Sequence, residues 1–181
     1  MTTELVAGRA VTVDPATSHP AGSPGDDARL GPWRSFLHAH ARLTRRLDEE
    51  LQATHGLSLA EYDALLQLAR SPGRRLRMSA LAERVLLSRS GITRLVDRLV
   101  SDGMVERSAC VTDARGAEAA LTPAGLQRLR DASRTHLAGV ERYFLAAIDA
   151  DDQVALKRGL DAVLDRLGGP GVEAGCDPAD A

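Results

Sequence analysis

One stretch narrows the fold more than any other part of the chain: SRSGITRLVDRLVSD, Ser88 to Asp102, closed by Gly103. Ile92, Leu95, Val96, Leu99 and Val100 recur at three- and four-residue steps, so they share one face of a helix. Ser90, Thr93, Arg94, Asp97, Arg98 and Ser101 fall on the opposite side or its flanks. Ser88 suits the N-cap, because its hydroxyl accepts a free first-turn N–H, and Gly103 suits the left-handed turn that ends a helix. The polar face then consists of arginines and small hydroxyl residues. Such a face fits a DNA major groove, where small residues allow close approach and arginine donates two hydrogen bonds to guanine. An ordinary amphipathic surface helix has the same pattern, so the neighbouring sequence must decide.

Charge is the first discriminator. The whole chain carries a formal net charge of −2. Between Arg74 and Arg107, however, eight arginines face four acids, a local net charge of +4 that leaves −6 for the remainder. A basic patch inside an acidic chain is the electrostatic footprint of a DNA reader. No run is long and apolar enough to span a membrane, and no secretory leader is recognisable at the N-terminus. Cys110 and Cys176 are the only cysteines and match no disulfide framework or metal motif. A cytoplasmic protein is expected.

The flanking segments supply an architecture. Residues 1–28 mix Gly, Pro, Ser and Asp without periodicity and read as an N-terminal arm. Pro32 suits a first helical position, and an apolar stripe from Trp33 to Leu51 carries that helix to about Thr54. Ser58 with Glu61 three residues on is a capping box, opening a second helix with Tyr62, Leu65, Leu66 and Ala69 inward. Leu76-Arg77 reads as a very short strand, and Ser79 to Val85 as a brief helix that turns into the opening stretch. Two short helices joined by a tight turn make a helix-turn-helix, although this turn lacks the usual glycine. Met104–Ser108 and Ala117–Leu121 read as a hairpin around a Cys110–Gly116 loop, which is a wing. Thr122-Pro123 starts a long helix whose stripe runs from Leu126 through Phe144 to Ile148, and Asp149 caps a last helix carrying Leu156, Leu160, Val163 and Leu167. The expected class is mainly α with a small β-wing. The domain spans residues 29–168, with a winged helix-turn-helix lobe at about 58–122, dimerisation helices at about 32–55 and 123–167, and a disordered tail at 169–181.

On these residues the chain resembles the MarR family of winged helix-turn-helix regulators. The resemblance covers Trp33 to Leu167 and is carried by SRSGITRLVDRLVSDGMVER from Ser88 to Arg107, DARG at Asp113 to Gly116 and TPAG at Thr122 to Gly125. It implies a homodimer whose first and last helices interlock and whose two lobes sit on one DNA duplex. It implies a transcriptional regulator, most members being repressors, many of them released from DNA by a small ligand that is commonly an aromatic or phenolic anion. The alternative from another class is a ligand-sensing or protein-interaction dimer that does not bind DNA specifically. An enzyme is not expected, since the chain contains no GxSxG, P-loop or paired metal-ligand motif.

Candidate site residues follow. Ser88, Arg89, Ser90, Thr93, Arg94 and Arg98 are the groove candidates, with Arg98 placed to reach phosphate. Arg115, at the wing tip, is implied by the resemblance to enter the minor groove, where narrow A·T tracts attract arginine; a loop-shaping salt bridge to Asp113 is its structural alternative. Trp33, Asp63, Arg94 and Arg107 resemble ligand-pocket residues of the urate-responsive branch. A structural Asp63–Arg94 ion pair, bracing the second helix to the recognition helix, is the competing reading of two of them. In the first reading an anion competes with Asp63 for Arg94 and unseats the helix. His38, His40, His55 and His136 are read as core or solvated histidines, and no metal or cofactor is expected.

Overall fold

The structure, a computed structural model, describes residues 27–110 and 113–168, with the side chains of 109–116 outside that description. The elements run α1 (Gly31–His55), α2 (Leu59–Ala69), β1 (Arg75–Arg77), α3 (Met78–Arg84), α4 (Arg89–Ser101), β2 (Val105–Cys110), β3 (Asp113–Leu121), α5 (Pro123–Tyr143) and α6 (Ala150–Leu167). Helix dominates, with one antiparallel sheet in the order β1-β3-β2. Most of the expected N-terminal arm (residues 1–26), the expected disordered tail (169–181) and Cys176 lie outside the described residues.

The chain divides into two compact units, residues 1–38 and 39–181, at a point inside α1. In the first, a 3-10 turn at Ala28–Leu30 is capped by Asp27, whose carboxylate accepts the Arg29 backbone N–H at 3.0 Å and pairs with the Arg29 guanidinium at 2.7 Å. Trp33 stacks on Phe36 with ring centroids 6.1 Å apart.

In the second unit, α2 opens with both arms of the capping box. Ser58 Oγ accepts the Glu61 N–H at 3.2 Å, and Glu61 Oε2 accepts the Ser58 N–H at 2.9 Å. Leu65 and Leu68 on α2, Leu81 on α3, and Ile92, Val96 and Leu99 on α4 are fully buried together with Leu51, Val105 and Leu129. The helix-turn-helix therefore shares one core with the start of the wing and with α5. Val100, expected on the apolar face, is exposed instead: it sits at the edge of the stripe, where the last turn leaves the core.

The wing grips the start of α5 closely. Thr122 Oγ1 donates to the Gly103 carbonyl at 2.8 Å and accepts the Gly125 N–H at 3.0 Å, and its own N–H reaches the Met104 carbonyl at 3.1 Å. A Cβ at Gly125 would lie 2.1 Å from that Met104 oxygen, so only glycine lets the helix approach the strand. The wing strands are longer than the sequence suggests. Val105 pairs with Leu121 and Ala109 with Ala117 in register, with an irregularity at Cys110.

α5 ends at Tyr143 rather than continuing through Phe144 and Ile148. Phe144 leaves helical geometry at φ −122°, and a 3-10 turn follows at Leu145–Ala147. The Gln153 amide donates to the Leu145 and Ile148 carbonyls at 3.0 and 2.9 Å, satisfying acceptors that a continuous helix would have used internally. Asp149 caps α6 as expected, and Gly168 closes it in the left-handed conformation.

Candidate nucleic-acid interface

α4 presents its two faces as the sequence predicts. Ser88 caps it, with Oγ accepting the Gly91 N–H at 3.1 Å and lying 3.2 Å from Ser90 Oγ. Thr93 Oγ1 donates back to the Arg89 carbonyl at 2.9 Å, which keeps that side chain close to the helix. Ser88, Arg89, Ser90, Thr93 and Arg94 are all exposed, while Ile92, Leu95, Val96 and Leu99 are buried behind them. Among the described residues neither Arg89 nor Arg94 has an ion-pair partner, so both guanidiniums remain free to meet an external anion.

The arginines further along have internal work. Arg98 Nε donates to Glu61 Oε1 at 2.8 Å. The Glu61 carboxylate is thus shared between the α2 N-terminus and α4, tying the first helix of the lobe to the last turns of the recognition helix. Burial pushes the Glu61 carboxyl up, but the Ser58 N–H and then Arg98 outweigh it, and the net shift is downward. Arg107 on β2 pairs with Asp97 at 2.9 Å and also donates to the Thr93 carbonyl at 3.2 Å, fixing the flank of α4 to the wing. Two ion pairs, through Asp97 and Arg98, therefore hold α4 while its first turns stay open.

The expected Asp63–Arg94 pair does not form. Asp63 Oδ1 instead accepts the Gln67 amide at 3.1 Å, one turn along the same helix, and burial raises its carboxyl above the ordinary range. The brace between α2 and α4 exists, but Glu61 and Arg98 make it. The sequence pattern places Glu61 in the capping box alone. The missed signal is that a capping-box glutamate has a second oxygen, which a nearby arginine can reach. Of the four ligand candidates, Arg94 is exposed on α4, Arg107 pairs with Asp97, and Asp63 lines a cleft with His136. Trp33 is 55% exposed in the unit of residues 1–38.

Arg115 lies within β3 by its backbone, and its side chain is outside the described residues, as are those of Asp113 and Cys110. Of the histidines, His55 Nε2 lies 2.8 Å from Thr135 Oγ1. Among the described residues no three His, Cys, Asp or Glu side chains come together as a metal site, and no helix is long and apolar enough to cross a membrane.

The turn between α3 and α4 has a further peculiarity. Leu86 stands at φ +56° with its side chain 90% exposed, in the left-handed conformation that usually selects glycine. The Leu87 N–H to Ala82 carbonyl bond, at 2.9 Å, enforces that tight turn.

Comparison with known proteins agrees with this geometry. A family model described as MarR family matches residues 55–116. The chain is similar to AbsC, a MarR family transcriptional regulator from Streptomyces coelicolor, at 33% identity and a TM-score of 0.73, over 80% of this chain and 97% of that one. It is similar to Sco3205, a MarR family regulator from the same organism solved in complex with DNA, at 34% identity and a TM-score of 0.71, over 75% and 85% of the two chains. Sco5413, a third regulator from that organism, matches at 27% identity and a TM-score of 0.68, over 77% and 95%. No curated protein sequence matches significantly. With 33% identity to AbsC over nearly the whole of that regulator, and with the fold in common, this chain belongs to the MarR family of transcriptional regulators.

Proposed function

We propose that the protein is a homodimeric, sequence-specific DNA-binding regulator, acting as a repressor that a small ligand releases from a pseudo-palindromic operator. The observation that carries the reading is the open first half of α4. Ser88, Arg89, Ser90, Thr93 and Arg94 are exposed together, both arginines are unpaired among the described residues, and two ion pairs hold the helix behind them. Arginine at the N-terminal end of such a helix can read guanine edges, and the small hydroxyl residues allow the backbone of the helix to sit deep in the groove. Arg98 is then a brace whose exposed guanidinium edge can still touch phosphate, and Arg115 is the wing's minor-groove contact. In this reading the lobe is residues 58–122, and the dimer forms through 32–55 and 123–167. The DNA complex of the similar regulator Sco3205 supports the partner.

Dimerisation is supported by apolar surface that stays uncovered among the described residues. α6 buries no residue, and Val154, Leu156, Val163 and Leu167 are exposed, as is Leu137 on α5. A second copy of the same surface is the commonest cover for such a patch.

Footprinting on the DNA upstream of the protein's own gene, combined with sedimentation, tests the proposal. We expect a protected site with twofold symmetry and half-sites one DNA turn, about 34 Å, apart, bound by a stable dimer. A monomer at micromolar concentration, or an asymmetric footprint, refutes it.

A further inference from the structure

Leu86, in the turn that aims α4, is costly to the protomer twice over. At φ +56° it occupies the left-handed region that a bulky side chain rarely adopts. Arg74 is the other non-glycine residue with positive φ among the described residues, and its long polar side chain is at home in solvent. The Leu86 side chain is not: at 90% it is the most exposed of the large apolar residues described. The other exposed ones lie on or beside α1, α5 and α6, the helices assigned to dimerisation, apart from Val100 at 38%. A glycine would remove both the strain and the exposed apolar surface. Strain held without a compensating contact points to a use outside the protomer.

What lies beside it is the open start of α4. Leu86 precedes the Ser88 cap by two residues, a span of at most about 7 Å. The turn is anchored on both sides. Toward α3, the Leu87 N–H reaches the Ala82 carbonyl at 2.9 Å and the Leu86 N–H the Glu83 carbonyl at 3.3 Å. Toward α4, Ser88 Oγ accepts the Gly91 N–H. Leu87 packs on the core, while Ser88, Arg89 and Ser90 are exposed. Leu86 is thus a fixed apolar edge on a surface otherwise made of arginines and hydroxyls. DNA offers few matches for such an edge. In the major groove the bases present donors, acceptors and one apolar group, the C5-methyl of thymine.

We infer that Leu86 is a specificity-determining residue, packing against the methyl group of a thymine at the margin of each half-site; this rests on the reading of α4 as the groove helix. Arg89 and Arg94 can select guanine or hold phosphate, and neither distinguishes thymine by its methyl. The leucine adds that preference next to them. The turn requires the left-handed conformation, and leucine fills it where glycine would leave the margin bare. A contact to sugar carbons would use the same apolar surface, but it would act alike on every sequence. Fold stability and sequence reading therefore oppose each other at this one position: the residue that relaxes the turn is the one that loses the methyl contact.

Methyl scanning tests the contact. Each thymine of the footprinted operator is replaced by uracil, in both half-sites together, which removes the C5-methyl and keeps every hydrogen-bonding group. Binding of the full-length protein to these operators and to random DNA is followed by fluorescence anisotropy. Leu86→Gly and Leu86→Asn both suit the left-handed turn, and urea unfolding checks that they are folded. We expect one symmetric thymine pair whose conversion weakens the parent by about fourfold per methyl, about fifteenfold for the two. Both variants should lose at least about that factor on the intact operator, respond to that conversion by less than about twofold, and bind random DNA within about twofold of the parent. No thymine whose uracil form binds the parent less tightly, or a uracil effect as large in the variants as in the parent, overturns the inference. Equal losses on operator and random DNA make Leu86 a sugar contact and overturn it too. Parent-like DNA binding by both variants also overturns it, and leaves the exposed leucine to a protein partner. A parent that does not prefer its operator refutes the reading of α4 and this inference with it, whereas a parent that prefers its operator while the variants match it refutes the inference alone.

Discussion

The Glu61–Arg98 pair gives the sharpest stability prediction. Glu61 is almost buried, with side-chain exposure of 10%, whereas Arg98 is 59% exposed, so the two ends of the bond are unequal. A hydrogen bond to a charged group contributes about 1.5–3 kcal/mol, and a fully exposed pair 0.2–1 kcal/mol. A half-exposed partner places this bond between those ranges, at about 1 kcal/mol. Arg98→Gln should cost about that much, since the freed Glu61 keeps the Ser58 N–H but loses the charged partner it has among the described residues. Glu61→Ala removes the bond and the capping box together and should cost about 2–3 kcal/mol. Urea unfolding at fixed protein concentration, run as a double-mutant cycle with Glu61→Gln and Arg98→Gln, isolates the coupling, expected at about 1 kcal/mol. Its pH dependence has a fixed sign. The Glu61 carboxyl is lower in the folded protein than in the unfolded chain, so the coupling is complete above the ordinary glutamate value of about 4.3 and fades as pH falls through the folded one. A coupling within about 0.3 kcal/mol of zero at neutral pH refutes the assignment of Glu61 and Arg98 as the brace.

Three further outcomes are expected. Leu86→Gly should raise stability by about 0.5–1 kcal/mol in thermal unfolding, because relief of the left-handed conformation exceeds the entropy that glycine adds to the unfolded chain; destabilisation would show that the exposed leucine makes contacts the folded chain needs. Gly125→Ala should cost more than about 3 kcal/mol or prevent folding, since its Cβ would sit 2.1 Å from the Met104 oxygen, and near-normal urea stability would contradict that packing. Arg115→Ala should leave unfolding within about 0.5 kcal/mol of the parent while weakening operator binding by about 1–3 kcal/mol, most at A·T-rich flanks; unchanged binding would make the residue a loop brace.

Much of this architecture could be read from local rules. The apolar stripe from Ile92 to Leu99, the Ser58–Glu61 capping box, Thr122-Pro123 and Asp149 each act within one turn of helix, where sequence spacing and geometry coincide. The end of α5 was not legible, because the apolar period continues into Phe144 and Ile148 and only Gln153, on the next helix, rewards the break. The groove face of α4 was legible as a set but its division of labour was not. Whether an arginine faces outward or braces depends on an acid elsewhere in the chain: Glu61 lies 37 residues from Arg98, and no spacing rule reaches that far. The same limit applies to the Asp63–Arg94 ion pair. Asp63 and Arg94 invited a pairing by type, while the fold gave Asp63 to Gln67 and left Arg94 open.

If the open half of α4 reads DNA, the ratio of operator to random-DNA affinity must depend on it. Binding to the upstream operator and to random DNA is measured across a salt series for the parent protein, Arg89→Ala and Arg94→Ala. The parent should prefer its operator by about 10³ or more. At least one of the two variants should lose about 1–3 kcal/mol of operator affinity while its binding to random DNA falls far less, as expected when a base contact is removed. A parent protein that binds both DNAs alike, or two variants that keep the full preference, would contradict it.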